Sequence, residues 1–493
     1  MIFKKTLCPL RLFRRFGKRY SLGFLKFPMH YALCSLLFLS LLGCAGSILQ
    51  LRPALENEGE VYLYVQPFPQ ESGRLRFNIE GISAIASDGR EIPFTLSIKD
   101  IRCRDINRQR LLAFAPLPPG PYSGLSFKIK SAFLKTEEGE ASLLIPDTAV
   151  RIDFPFNVLR RKGYVISMAF NYNESVQRGF SFNPVFSLSI PPKPILALTG
   201  YVSNSALNNI TIFDKKRNRV AGVIVTGRNP SGMAIDTFRN RAYVAITNDD
   251  TIEVIDILVG EVVDRLRLNN GDRPLELAMT PDGKSLLSVN TGSNTVSFID
   301  PYSSLEVSRV SVGKSPNSIL IDQTGRRGFV FNTLSNNISV IDIPNKALVR
   351  NIPTEVGPLR GQFNRRGDRL YVIQDGSSYL LEMDAAFYSV MRRNKVKFGM
   401  NAIKIDKRTD YIYLGRKGDV TMEVYDPFTW VPIDYIPTDG DIQYMAIDGE
   451  QNYLYLINSG KRTVMVVNLV SRKMIAEFDV GEGPYWVTMM GER

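Results

Sequence analysis

The feature that most constrains the fold is an Asp or Asn that closes an apolar strand seven times at an almost fixed interval. Consecutive members lie 42, 44, 42, 42, 42 and 42 residues apart. They are Asp214, Asp256, Asp300, Asp342, Asp384, Asp426 and Asn468. A period near 42 residues with turn residues in every unit is typical of a radial β-propeller, in which each unit forms one four-stranded blade. The repeat therefore predicts an all-β fold.

Each unit has the same internal order. A Pro or Gly opens an apolar strand, as in residues 316–322, and a turn such as Pro281-Asp282-Gly283 follows. An aromatic and β-branched strand comes next, then a polar hairpin and two further strands. Short strands with period-two alternation and frequent turns indicate antiparallel sheet rather than helix.

The phase of the repeat also predicts how the ring closes. The first strand of each unit ends 20 residues before the closing residue, from Asp236 in the first case to Asp448 in the last. The next position in phase is residue 490. That position lies in a terminal strand with no blade of its own, whereas the first unit lacks an innermost strand. Pairing the two gives a seven-bladed propeller over residues 198–493 with no open edge at the seam.

The second strands carry the motif Tyr201-Val202-Ser203-Asn204, with variants Tyr243-Val244-Ala245-Ile246 and Ser288-Val289-Asn290-Thr291. This pattern resembles the YVTN family of β-propellers. The resemblance implies the fold but no activity, because propellers carry many unrelated functions.

The amino-terminal segment predicts export. Residues 1–43 contain eight Lys or Arg and no acid, and an apolar run of 12 residues covers 31–42. This run is too short to span a bilayer but suits a signal peptide, whether translation starts at Met1 or Met29. The following Leu41-Leu42-Gly43-Cys44-Ala45-Gly46 resembles the lipobox of bacterial lipoproteins. That resemblance implies cleavage after residue 43, a lipid on Cys44 and anchoring in the cell envelope, with the outer membrane as the expected site. An ordinary secretory signal with a chance Cys is the alternative.

Without that leader the composition changes. The full chain has a net charge of +12, but 53 basic against 49 acidic residues remain after residue 43, a net charge of +4. A nucleic-acid partner is therefore not expected. The only histidine, His30, lies in the leader, as do Cys8 and Cys34. We therefore expect no disulfide, no histidine-based catalysis, no metal site and no cofactor, with Cys103 either buried or free.

The closing Asp series has two interpretations, a pool of catalytic or calcium-binding acids or a turn device. One carboxylate per blade at constant phase favours the turn device, because Asp accepts hydrogen bonds from backbone amides two residues on.

The mouth of the central channel is the better candidate site. Innermost strands begin at equivalent positions, so the residues just after the opening Pro or its substitute should ring one end of the channel. These positions break the repeat with polar, charged and aromatic side chains, as a binding site requires. The candidate binding residues are Glu276, Asn317, Arg360, Asn401, Tyr444, Tyr485 and Trp486. The alternative is that they simply plug the channel and its rim.

A second domain precedes the propeller. After a tether over residues 44–59, residues 60–190 contain eight or nine short strand-like runs separated by turns and show no helical period, which predicts an immunoglobulin-like β-sandwich. The Pro-rich segment 191–197 is expected to be an extended linker that holds the propeller off the sandwich.

Two functions fit these observations. The first is a lipid-anchored, non-enzymatic binding or scaffold protein of the envelope, whose propeller face recognises a protein or glycan. The alternative is an envelope lactonase-like hydrolase that uses the channel mouth, since some seven-bladed propellers are lactonases. The lack of histidine and of a clustered acid/base pair favours the binding protein.

Overall fold

The computed structural model describes residues 52–137 and 139–492 of the 493-residue chain. The predicted signal peptide and Cys44 lie outside the described residues. The described chain is built almost entirely of strands, and the predicted all-β propeller fold is confirmed. None of its helices has the length and apolar composition needed to cross a membrane.

Residues 59–189 form two packed sheets. The first has five strands, in the spatial order Phe186–Ser189, Gly163–Phe170, Gly59–Val65, Arg110–Leu117 and Thr95–Leu96. The second sheet has six strands. Four of them lie in the spatial order Glu91–Pro93, Leu75–Ala86, Gly120–Lys135 and Glu140–Ser142. The other two are Asp100–Arg102, which pairs with Leu75–Ala86, and Val150–Val158, which pairs with Gly120–Lys135. One apolar core lies between the sheets. The immunoglobulin-like topology stays a prediction, and the first sheet contains one parallel pair, Gly59–Val65 with Gly163–Phe170.

Small elements complete this part of the chain. Val176–Gln177 pairs with Ser181–Phe182, and a single helical turn covers Tyr172–Ser175. Short 3-10 turns occur at Gln70–Arg74, Cys103–Asp105 and Leu196–Leu198.

From Thr199 to Met489 the described residues form seven four-stranded antiparallel sheets, here called blades 1 to 7 in chain order of their second strands. Blades 2 to 7 and then blade 1 have the inner strands Pro230–Asp236, Pro274–Met279, Pro316–Ile321, Pro358–Phe363, Met400–Ile405, Ile442–Asp448 and Pro484–Met489. In blades 1 to 7, the second strands are Thr199–Asn204, Arg241–Ile246, Leu286–Asn290, Arg327–Asn332, Arg369–Gln374, Ile412–Arg416 and Tyr453–Asn458. The third strands are Asn209–Asp214, Thr251–Asp256, Thr295–Asp300, Asn337–Asp342, Tyr379–Asp384, Thr421–Tyr425 and Thr463–Asn468. The outer strands are Arg219–Val225, Glu261–Arg267, Leu305–Ser311, Ala347–Pro353, Val390–Lys395, Pro432–Pro437 and Lys473–Asp479.

The last strand, Pro484–Met489, pairs with Thr199–Asn204 and so supplies the inner strand of blade 1, as the phase of the repeat predicts. We call the end of the ring where inner strands begin the start face, and the opposite end the finish face. Because neighbouring strands in a blade are antiparallel, the turns that follow inner strands and those that follow third strands both lie on the finish face.

The repeated polar residues have local structural functions. The motif Asn of blade 1, Asn204, donates from Nδ2 to Asn209 Oδ1 and Thr211 Oγ1, both at 2.8 Å, and so holds the hairpin to the third strand. The closing Asp256 accepts backbone N–H bonds from Leu258 at 2.9 Å and Val259 at 3.1 Å. This contact supports the turn-device interpretation of the closing series.

The expected separation between sandwich and propeller is wrong, because the two parts pack directly against each other. Strand Gly59–Val65 is buried on both faces: Val61 and Leu63 enter the sandwich core, while Tyr62 and Tyr64 enter an apolar cluster shared with blade 1. Every second side chain of this strand therefore faces the propeller instead of solvent.

Two residues show how close this packing is. A Cβ on Gly163 would lie 2.5 Å from the carbonyl oxygen of Val223, on the outer strand of blade 1. The Gln109 amide accepts from the Val220 N–H at 2.7 Å and donates to the Val220 carbonyl at 3.4 Å. The sandwich therefore covers the outer edge of blade 1 and binds the Val220 backbone there, which hinders pairing of that edge with another chain.

Candidate functional site in the propeller channel

The third residue of each inner strand begins the candidate site. In five inner strands the pairing register shifts between the first and third residues, which is a β-bulge. Bulges re-aim the side chains that follow them and are frequent beside functional sites. In blades 1 to 7 the third residues are Trp486, Gly232, Glu276, Ser318, Arg360, Ala402 and Tyr444.

Large and small side chains alternate around this ring. Glu276, Arg360 and Tyr444 come from alternate blades, and the intervening positions hold Ser318 and Ala402. On the remaining side a Cβ on residue 232 would lie 2.7 Å from the Glu276 Cα, so only glycine fits there. Alternation of this kind fills the interior of a closed β-structure.

An ion pair spans the channel. The Arg360 guanidinium donates a short hydrogen bond to the Glu276 carboxylate, and both residues are buried. Burial raises the pKa of Glu276 to about 7, although the charge of Arg360 and its hydrogen bond oppose that shift. Removal from water destabilises an ionised carboxylate, and a nearby cation compensates only in part.

Two aromatic rings complete the layer. Tyr444 and Trp486 stack with ring centroids 3.8 Å apart and an interplanar angle of 22°. The Arg360 guanidinium carbon lies 4.7 Å from the Tyr444 centroid and 5.3 Å from that of Trp486, within cation–π range. Four predicted residues, Glu276, Arg360, Tyr444 and Trp486, thus form one buried cluster, which we call the channel cluster.

The channel cluster is the floor of a cavity of about 220 Å³. Further lining comes from the fifth inner-strand residues Gln362 and Lys404 and, beyond the strand ends, from Lys407 and Glu492. The cavity therefore extends towards the finish face, not towards the start-face mouth from which the site was predicted. The physical reason is that the large third residues fill the channel below the start face.

Charges in this cavity are largely paired. Lys404 Nζ lies 3.1 Å from Glu492 Oε1, and Thr488 donates to Glu492 Oε2 at 2.8 Å. Sequence reasoning missed Lys404, Lys407, Gln362 and Glu492. The available signal was the fifth inner-strand position, where Gln362 and Lys404 replace the apolar residues of most other blades.

The other predicted residues lie elsewhere. The Asn317 side chain donates to the Leu359 carbonyl at 3.0 Å, and that of Asn401 donates to the Ile442 carbonyl at 3.1 Å. Each amide therefore links its inner strand to that of the next blade and does not line the cavity. Burial and the charge of Glu276 raise the pKa of Tyr485, which places this residue beside the channel cluster.

Metal-ligating side chains and the Cys103 thiol are the other groups that could carry chemistry in the described residues. Within the described ranges, no three His, Cys, Asp or Glu side chains are grouped so that they could hold a metal ion. The thiol of Cys103 is buried, and this burial raises its pKa to about 12. A thiol in that state is not a nucleophile at neutral pH.

The finish face surrounds the cavity with exposed apolar turns. Tyr302, Phe387, Phe428 and Val470 follow third strands in four blades and are between 79% and 85% exposed. Phe238, in the turn after the inner strand of blade 2, is 71% exposed. We call these five residues the apolar turn tips.

Comparisons with known proteins agree with the fold. A model of the YNCE-like beta-propeller family matches residues 197–409. No curated protein matches the chain. A functionally unknown protein from Desulfotomaculum acetoxidans is similar in structure, with a TM-score of 0.52, 13% identity, and coverage of 59% of this chain and 98% of that one.

Two further similar structures are enzymes. Hydrazine synthase from Kuenenia stuttgartiensis has a TM-score of 0.47 and 20% identity, covering 52% of this chain and 87% of its own. The dihydro-heme d1 dehydrogenase NirN, solved in complex with DHE, has a TM-score of 0.48 and 14% identity, covering 62% and 78%. Similarity at this level does not transfer their activities to the present chain.

Proposed function

We propose that this protein is a non-enzymatic binding or scaffold protein of the bacterial cell envelope, anchored through a lipid on Cys44. Its propeller recognises a protein or glycan partner through the finish face, and the sandwich is a rigid support for the ring. The outer membrane is the membrane we propose for the anchor. Nucleic acid is not among the proposed partners.

The observation that carries this proposal is the arrangement of the finish face. The apolar turn tips are exposed on several blades around a polar cavity with a buried cation–aromatic floor. Exposed apolar side chains that share one face mark interaction surfaces when they form a patch, whereas isolated ones are ordinary. Aromatic and Arg side chains also dominate binding energy in known interfaces.

The state of the buried charges favours binding over turnover. Glu276 is held by Arg360, and Lys404 by Glu492, so the acids and bases at the cavity are engaged with each other. A general base has to reach the proton that it abstracts, and here the carboxylate is directed at a guanidinium.

Affinity capture with the complete processed protein tests the recognition surface. Phe387 and Phe428 lie on neighbouring blades, and the double substitution Phe387→Ser/Phe428→Ser removes both rings. Aromatic hot spots contribute about 2 kcal/mol or more each, so the partner should bind at least about 100-fold more weakly. The matched control is Phe180→Ser, a similarly exposed ring on the sandwich. Equal recovery of one partner by all three proteins would contradict a finish-face site.

The lipid anchor needs a separate test. In a bacterial host that processes lipoproteins, the wild-type chain should incorporate labelled palmitate and fractionate with the outer membrane. The Cys44→Ser variant should lose the label and become extractable without detergent. Membrane retention of an unlabelled wild-type protein would contradict anchoring at Cys44.

The hydrolase alternative has one supporting observation. A buried carboxyl with a raised pKa that borders a cavity is a frequent feature of active sites, and Glu276 has these properties. A lactone panel with wild type and Glu276→Gln decides the matter. Turnover that the variant abolishes, in a protein that remains folded, would favour the hydrolase over the binding protein.

A further inference from the structure

A second cavity lies between the sandwich and blade 2. It is a cleft of about 830 Å³, bounded by the sandwich turn at residues 159–164 and by the outer strand Glu261–Arg267. An adjoining hollow of about 440 Å³ shares Arg161, Arg265 and Arg267 with it. Because the sandwich packs firmly on blade 1, both walls of this cleft are fixed relative to each other. Preformed cavities at such junctions are common ligand sites.

Three arginines converge where the cleft meets the hollow. Arg265 Nε lies 2.8 Å from Glu253 Oε1, so its charge is compensated. Among the described residues, neither Arg161 nor Arg267 has a carboxylate within ion-pair distance. Arg161 occupies a left-handed backbone conformation with φ of 57°, and its backbone N–H donates to the Glu58 carbonyl at 2.8 Å. The turn thus holds this guanidinium at the junction.

Electrostatics at Arg161 indicate an excess of positive charge there. Burial and the neighbouring charge of Arg265 lower its pKa, while Glu253 raises it only in part. Two cations held together without a full complement of acids are destabilised, and an anion between them removes that cost.

The carboxylates that line the cleft and the adjoining hollow do not supply that anion. Asp249 pairs with Arg228 at 2.5 Å, and Glu261 pairs with Lys162. Asp250 accepts the backbone N–H bonds of Gly271 and Arg273, at 2.8 and 2.7 Å. Asp264 is exposed and accepts the backbone N–H of Arg265 at 2.8 Å. Glu253 is buried and serves Arg265 through Oε1, while its Oε2 has no hydrogen-bond partner.

Apolar side chains also line the cleft. Leu159, Val259 and Val263 are each about half exposed, with exposed fractions of 51%, 58% and 52%. All three line the same cleft, Leu159 from the sandwich and the two valines from blade 2. Apolar side chains on both walls, in the same cleft as the arginine cluster, match a ligand with an anionic head and an apolar body.

We propose that this cleft binds an amphipathic anion, namely a phosphate or carboxylate group that carries an apolar chain. The anionic head lies between Arg161, Arg265 and Arg267, where each guanidinium donates charge-assisted hydrogen bonds. The apolar chain lies along Leu159, Val259 and Val263. This site is independent of the finish face and of the partner proposed there.

A purely structural function for the arginines makes a different prediction. If Arg161 only joined sandwich to propeller, removing its charge would destabilise the protein. If it is a ligand-binding group, Arg161→Gln relieves repulsion with Arg265, so the melting temperature without ligand should stay unchanged or rise while affinity falls.

Isothermal titration calorimetry of the folded protein tests the proposal with hexyl phosphate, heptanoate, inorganic phosphate and hexanol as probes. Hexyl phosphate or heptanoate should bind, and whichever binds more tightly identifies the head group. Inorganic phosphate should bind more weakly than hexyl phosphate, and hexanol should not bind. Arg161→Gln and Arg267→Gln should each weaken binding about 10- to 100-fold, as expected for the loss of a hydrogen bond to a charged group.

Arg178→Gln is the matched control, because Arg178 is an exposed arginine on another sandwich turn with a φ of 50° and lines neither the cleft nor the hollow. It should keep wild-type affinity. The proposal would be overturned if no anionic probe bound, if hexanol bound as tightly as hexyl phosphate, or if all three variants lost affinity equally. A lowered melting temperature of Arg161→Gln with unchanged affinity would assign this arginine to domain packing instead.

Discussion

The ring closure contains a fully buried ion pair whose removal can be predicted in magnitude. Lys215 lies in the turn after the third strand of blade 1, and neither its side chain nor that of Asp448 is exposed. Its Nζ lies 3.0 Å from Asp448 Oδ2 and donates to the Met490 carbonyl at 2.6 Å. Asp448 ends the inner strand of blade 7, and Met490 directly follows the terminal strand. One ammonium group therefore joins the three segments that meet at the seam.

The substitution Lys215→Met keeps an unbranched side chain one atom shorter and removes its charge. It leaves the Asp448 carboxylate buried without a cation and takes a donor from the Met490 carbonyl. Removing one partner of a buried ion pair costs about 3–5 kcal/mol. The contact with Glu450, at 3.9 Å, adds little because Glu450 is more than half exposed. We therefore expect a loss of about 3–5 kcal/mol, localised at the seam.

Native-state hydrogen exchange measures this loss where it is expected. Amides of the terminal strand Pro484–Met489 and of its partner Thr199–Asn204 should exchange faster in Lys215→Met, while blades 3 to 5 keep their protection. The double variant Lys215→Met/Asp448→Leu removes both charges and should recover most of the stability, since an apolar pair of similar volume often replaces a buried ion pair. A loss of less than about 1 kcal/mol in the single variant, or a double variant no more stable than the single one, would contradict this expectation.

Two further predictions concern the domain contact and the channel. Gly163→Ala should destabilise the protein by about 1–3 kcal/mol, because the new Cβ would collide with the Val223 carbonyl oxygen. The control Gly81→Ala should not, because no atom lies within 4 Å of a Cβ at that position; urea unfolding measures both variants. The pKa of Glu276 is raised, so between about pH 4.5 and pH 7 the folded state keeps a proton that the unfolded state releases. The unfolding free energy should therefore fall by up to roughly 3 kcal/mol as the pH rises through this range. Glu276→Gln should lack this decrease in urea titrations across the same pH range, and equal slopes for the two proteins would show that Glu276 titrates normally.

The propeller was predictable because its information is periodic. Each closing residue accepts hydrogen bonds from backbone amides of its own turn, as Asp256 does, so the same residue type recurs at the same position of every repeat. The pairing of residues 484–489 with the first blade followed from phase alone, and the structure has that pairing. Local hydrogen bonds and alternation were sufficient for this step, without knowledge of any distant contact.

The contact between sandwich and propeller was not predictable from the linker. A Pro-rich segment restricts the chain locally, but it does not set the distance between the domains that it joins. The informative signal was the run Val61-Tyr62-Leu63-Tyr64-Val65, which has no polar alternation. A strand at the surface of a solvated sandwich would alternate, and an uninterrupted apolar strand indicates burial on both faces. Such a strand needs a cover on its second face, and in this structure the propeller is that cover.

The channel cluster shows why departure from a repeat does not by itself identify a binding residue. Around a ring of seven, large and small side chains cannot alternate without placing two of the same kind side by side, and here the two are large, the stacked pair Tyr444 and Trp486. Packing alone is therefore sufficient to explain why the third residues differ between blades. The fifth positions are different, because small or apolar residues serve most blades there, yet Gln362 and Lys404 direct polar groups into the remaining space. Burying a lysine has a cost that apolar packing does not repay, and Glu492 compensates for it at Lys404. Under the proposed binding function, this polar pair is therefore a stronger candidate for ligand contact than the third residues, which packing explains.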